Sequence, residues 1–158
     1  MSFRIVPLSK EYAAEIRATG RDSFGNEIVE QVANGYGPCR VSLRPFEVGV
    51  DRRILISHSP FEVANAFNQP GPVFFHSEEV DEYRDVDRFP PEIKADPVNF
   101  PLTLIGYDGE QRMVFAELVG DRDVDEMIKQ IFDERDDIAY LHARNAEPAC
   151  FICKIERH

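Results

Sequence analysis

From Cys39 onward the apolar residues recur mainly at every second position, and a chain with that period builds sheet rather than helix. The spacing predicts strands over Cys39–Leu43, Arg53–His58 and Pro72–Ser77, separated by loops that carry Pro and Gly. Asp108-Gly109 stands between Leu102–Tyr107 and Gln111–Val119, which is a strong short-range hairpin signal. The nearly unbroken apolar run from Met113 to Leu118 predicts an interior strand covered on both faces. Ile138–Arg144 and Cys150–Glu156 form a last hairpin around Ala146-Glu147-Pro148.

Helical spacing is confined to a few segments. A short strand over Phe3–Pro7 precedes a helix that Ser9 caps, which runs to about Thr19 and stops at Gly20. A second, shorter helix is expected over Glu27–Ala33, with Ile28 and Val32 inward. Segment 79–100 reads as irregular, with one helical turn at Pro91–Ala95. Asp123 opens the clearest helix. Val124, Met127, Ile128, Ile131 and Phe132 form its apolar stripe, and Asp125 and Lys129 are expected to pair on the wet side. Strands outnumber helices and tight hairpins join them, so the fold class is α+β: mainly antiparallel sheet with two or three packed helices.

The totals bound what such a fold does. A length of 158 residues fits one domain, here taken as 1–158, and 43% hydrophobic residues suffice for a core without staples. The net charge is −11, and residues 77–137 hold 19 acidic against seven basic side chains. That field repels phosphate backbones, so nucleic acid is not an expected partner. No apolar run reaches the roughly 18 residues of a membrane span and no signal segment opens the chain, so the expected compartment is the cytoplasm, with no membrane partner. Three cysteines, an odd number, are read as reduced.

The last hairpin carries the first candidate site. Centring its turn on Glu147 pairs Ala143 with Phe151, Leu141 with Cys153 and Ala139 with Ile155, so the apolar sets coincide. Tyr140, His142 and Arg144 then share the opposite face, with Arg144 beside Cys150 and His142 within a side chain's reach of it. A thiol in that setting is a candidate nucleophile. Cys150 and Cys153 match C-x-x-C, but residues three apart on a strand point to opposite faces, so neither a metal nor a disulfide is expected there.

His76, beside Phe74 and Phe75, is a candidate acid or base, and Arg40 a candidate for holding a carboxylate or phosphate. His58 ends a strand and reads as structural. The histidines show no H-x-H or H-x-x-x-H spacing, so no metal is expected. The chain also has no phosphate-binding glycine loop, nucleophile elbow, zincin motif or EF-hand loop, and no cofactor is expected.

Three segments resemble a bacterial family known as domain of unknown function 1203: Pro38-Cys39-Arg40, Gly71-Pro72-Val73-Phe74-Phe75-His76, and Tyr140-Leu141-His142-Ala143-Arg144-Asn145 followed by Cys150-Phe151. Members often continue the first segment with a further His and Cys, where this chain has Val41 and Ser42. The resemblance implies a bacterial, whole-chain, single-domain protein and brings no activity with it.

The leading expectation is a small-ligand-binding protein, enzyme or not, with a polar pocket. His76 and His142 would move protons there, with Cys150 as an outside choice of nucleophile. Arg40, Tyr140, Arg144 and Asn145 would hold a small anionic ligand. The competing expectation is a non-enzymatic homodimeric interaction module with an acidic docking face. The two differ in geometry, because a shared pocket requires His76 and His142 to lie close together.

Overall fold

The computed structural model describes residues 2–158. Strand β1 (Phe3–Val6) leads into helix α1 (Lys10–Thr19), whose ends are set by the expected residues. Ser9 Oγ accepts from the Tyr12 amide, and Gly20, at φ 69°, donates its N–H to the Ile16 carbonyl. Strands β2 (Val29–Val32), β3 (Arg52–His58) and β4 (Gly71–His76) form one antiparallel sheet in that order. After the single turn α2 (Pro91–Lys94) come β5 (Leu102–Tyr107), β6 (Met113–Leu118), helix α3 (Val124–Glu134), β7 (Tyr140–Asn145) and β8 (Phe151–Arg157). The larger sheet runs β1-β8-β7-β5-β6, antiparallel at every step. The fold is therefore α+β with mainly antiparallel sheet.

Helix α3 buries its whole apolar stripe, from Val124 to Phe132, against Leu104, Leu141 and Ile155 of the five-stranded sheet. Each such side chain contributes about 1.5–3 kcal/mol on burial. A second core forms where Ala13 and Ile16 of α1 pack on Ile54, Ile56, Val73 and Phe75 of the smaller sheet. Among the described residues no helix is long and apolar enough to cross a membrane.

Five expectations need correction. Residues 29–32 are a strand, not part of a helix, because pairing with β3 outweighs the i,i+4 spacing of Ile28 and Val32. Residues 39–43 are not a strand. They form a tight turn in which Cys39, Arg40, Val41 and Leu43 are all buried, so the two-residue apolar period of the sequence does not translate into alternating exposure. Strand β6 is an edge and largely exposed, not an interior strand. Its free side is partly covered from within the chain, since Arg135 and Arg122 donate to the carbonyls of Val114 and Leu118. Asp125 pairs with Lys94 across 2.7 Å, while Lys129 turns to Glu126 at 3.4 Å.

The last correction concerns register. Leu141 faces Ile155 and Ala143 faces Cys153, two residues along from the expected pairing, and a bulge follows at Ala143/Arg144. A two-residue shift leaves each strand's faces unchanged, so the inward set survives. The bulge does more. Ile152 drops into the main core, and Phe151, opposite Arg144, turns to the face of His142.

Candidate functional site

The turn at residues 39–44 is closed by Cys39 N–H to the Arg44 carbonyl at 3.0 Å and by Leu43 N–H to the Cys39 carbonyl at 2.8 Å. Gly37 admits the chain to it. Its φ is +88°, and a Cβ there would stand 2.6 Å from the Phe46 ring. Leu43 adopts φ 54° while fully packed, a costly conformation for a bulky residue that the surrounding bonds impose. Arg40 N–H bonds the Phe74 carbonyl of β4 at 3.0 Å, which ties the turn to the strand that ends in His76.

Cys39 is the centre of this turn. Its thiol is fully covered, and burial, the largest single influence, pushes its pKa up, but several opposing interactions together bring it down to about 7. Those contacts are the His76 imidazole and both the hydroxyl and the amide of Ser42, all able to donate to a thiolate. The effect on His76 is reciprocal. Interaction with Cys39 raises the imidazole's pKa against the opposing pull of burial, and Asp51 adds to the rise. His76 Nε2 lies 3.4 Å from Asp51 Oδ2, and Asp51 is itself fixed by accepting the Glu47 amide at 2.7 Å. His76 Nδ1 is buried and has no hydrogen-bond partner, so thiol and imidazole are neighbours without a formed bond. The order is thiol, imidazole, carboxylate.

His76, Asp51 and Ser42 line an open cleft of about 1090 Å³, with Cys39 just beneath its floor. Seven carboxylate side chains line it, against Arg44 and Arg84. Four of the seven are paired, Glu92 with Arg44, Asp81 with Arg84, Glu79 with Lys10 and Asp85 with Arg88, and Glu47, Asp51 and Glu82 keep the balance negative.

The other predicted residues are placed elsewhere. Arg40 is buried, and Nε donates to the Phe151 carbonyl at 2.7 Å while a terminal nitrogen donates to Pro38. Burial lowers its pKa to about 10, with Cys150, Cys39 and Cys153 acting in the opposite sense. Arg144 and Cys150 do come together, in a separate hollow of about 180 Å³ that His58 and Phe151 also line. Asn145 holds the β7–β8 turn, its Oδ1 accepting the Glu147 amide at 3.0 Å. His142 and Tyr140 lie in an aromatic cluster with Tyr107 and Phe61. His76 shares none of those neighbours; its ring lies against Phe46, 4.8 Å between centroids.

Sequence reasoning singled out Pro38-Cys39-Arg40 and His76 but missed Cys39, Ser42 and Asp51 as parts of one site. Residues 39, 51 and 76 have no motif spacing, and only the turn and the β3–β4 pairing bring them together. Among the described residues no three His, Cys, Asp or Glu side chains gather in a way that could hold a metal ion.

A family model matches residues 36–157, which takes in the turn, the cleft histidine and the whole last hairpin. The chain belongs to the family described as "Protein of unknown function (DUF1203)". Comparison with curated proteins and with solved structures found no match. The family description assigns no chemistry, so the functional reading rests on the geometry of this member.

Proposed function

We propose that this family member binds a small amine-bearing or otherwise cationic molecule in the cleft and exchanges a proton with it at His76 Nε2, which Asp51 holds at 3.4 Å, while Nδ1 stays buried. The observation that carries the reading is His76 on the cleft wall with Asp51 Oδ2 3.4 Å from its Nε2, supported by the electrostatic influence of the buried Cys39. A general acid–base group needs a pKa near the working pH and a fixed orientation, and two anionic neighbours supply both. Cys39 and Asp51 are then positioning residues. The acidic lining favours a cation over the anionic ligand that the sequence suggests. A nucleophilic role for Cys39 would require the 39–44 turn to open, because the thiol has no exposed surface.

Histidine-labelled NMR with putrescine as the probe tests this. The His76 resonance should shift saturably with the diamine and titrate above the ordinary value of about 6.5. Cys39→Ser should lower that titration and abolish a thiolate ultraviolet signal with a midpoint of about 7. A His76 signal indifferent to putrescine would end the binding reading. Unchanged titration in Cys39→Ser would end the relay.

A further inference from the structure

The cleft makes no use of the second buried imidazole. His142 has 0% exposure, and neither ring nitrogen has a hydrogen-bond partner. Leaving such a group unsatisfied costs about 1–3 kcal/mol, and a phenylalanine would fill the same space without that cost. Four aromatic rings enclose it, with centroids at 4.7 Å for Tyr107, 4.9 Å for Phe151, 5.1 Å for Phe61 and 5.3 Å for Tyr140.

Three of those rings stand on strands of the larger sheet. Phe61 does not, for it hangs from the irregular segment 59–70 that joins β3 to β4. That segment rests on the β5–β6 turn through Glu62 N–H to Gln111 Oε1 at 3.0 Å and through Asn65 Nδ2 to the Gln111 and Glu110 carbonyls at 3.2 and 3.5 Å. All lie at or near the surface. Their loss would free Phe61, which is 9% exposed, without disturbing a strand.

The surroundings of the cage mix both signs of charge, and Lys154 is already paired with Glu156 at 3.1 Å. Arg144 acts on the Tyr107 hydroxyl, and Lys154 Nζ sits 4.6 Å over the Tyr140 ring. The hollow of about 180 Å³ lined by Arg144, His58, Pro60 and Phe151 already opens beside it. An apolar cavity of roughly 150 Å³ is enough to admit a benzene ring. Besides Glu156, two carboxylates oppose an anion here, since Glu62 and Asp108 both act on Tyr140. Glu62 belongs to the movable segment, and Asp108 is held by Arg112 at 3.0 Å.

We propose that residues 59–70 form a lid whose Phe61 ring holds the place of a ligand's aryl group, and that the opened cage binds a flat aromatic carboxylate. The ring lies among Tyr107, Tyr140 and Phe151, the carboxylate meets Arg144, and an imidazole nitrogen of His142 gains the partner it lacks. None of these residues belongs to the cleft, so the failure of this proposal leaves the reading of His76 untouched.

The test titrates benzoate into the unaltered protein while following His142 and His58 by histidine-labelled NMR, with toluene as the uncharged control. Benzoate should produce a saturable shift, and toluene should bind at least about tenfold more weakly. Arg144→Gln should weaken benzoate binding about fivefold or more, and Phe61→Ala should tighten it about tenfold because no lid has to leave. Phe61→Leu, a milder change, should tighten it in the same direction and serves where the alanine variant does not fold. No saturable shift in the unaltered protein overturns the proposal. So does an equal response to toluene, insensitivity to Arg144→Gln, or a Phe61→Leu variant no tighter than the parent, which would place benzoate in the outer hollow alone.

Discussion

His76 and His142 are both largely withdrawn from water, and they are driven in opposite directions. The side chain of His76 is 12% exposed, and its pKa is raised, first by Cys39 and then by Asp51, against the effect of burial. His142 is wholly covered, and burial takes it down to about 2, with Arg144, Lys154 and His58 adding to the fall. Burial disfavours the imidazolium in both places. Anionic neighbours within reach decide that one ring is ready to carry a proton and the other is not.

The largest expected effect is the titration gap itself. In histidine-labelled NMR the two midpoints should lie at least about four pH units apart, with His142 silent down to pH 4. A His142 midpoint near 6 would erase the contrast and mean that the cage admits water.

Stability sharpens the same comparison. A histidine whose folded pKa lies below its unfolded value leaves the unfolded chain binding more protons, so its contribution is full above about pH 6.5 and falls away as the pH drops toward 2. His142 should therefore cost up to about 1.4 kcal/mol per pH unit in that window. His142→Phe should remove this slope and, at pH 7, stabilise the fold by about 1–3 kcal/mol in urea unfolding. A variant less stable than the parent at both pH 7 and pH 4 would show that the imidazole has a structural partner. His76 runs the other way: its contribution is complete below about pH 6.5 and declines as the pH rises through its folded value.

The smallest effect separates burial from charge at His142. Lys154→Met removes a cation that ranks after burial and Arg144 among the causes, so the midpoint should rise by less than about one pH unit. A larger rise would make charge, not desolvation, the main reason His142 stays neutral.

Much of the fold was legible because its signals are local. Ser9 and Gly20 bound α1, Asp123 and the apolar stripe define α3, and Asp108-Gly109 turns β5 into β6. The errors fall where distant partners decide. Val29–Val32 takes its conformation from β3, and Met113–Leu118 is apolar yet lies on a border, a position that no period within the strand reports. The site was legible only in pieces. His76 was marked as an acid or base, and the face of Tyr140 and His142 was marked as chemical. Its covering by Phe61, 46 residues before Tyr107, leaves no trace in hairpin alternation. Cys39 reads as the first residue of a strand, because its neighbours Ser42 and His76 are set by a turn whose apolar residues happen to recur at every second position.

The treatment of β6 limits how copies of this chain can meet. Side-to-side addition of a strand needs a row of open main-chain acceptors, and here the outward row consists of Val114, Ala116 and Leu118. Two guanidiniums from the same molecule already occupy the first and last carbonyl of that row. An incoming strand would find the Ala116 carbonyl open but would have to displace a guanidinium to extend its pairing in either direction. That border therefore resists sheet-by-sheet polymerisation, even though Met113 and Leu118 face water beside it.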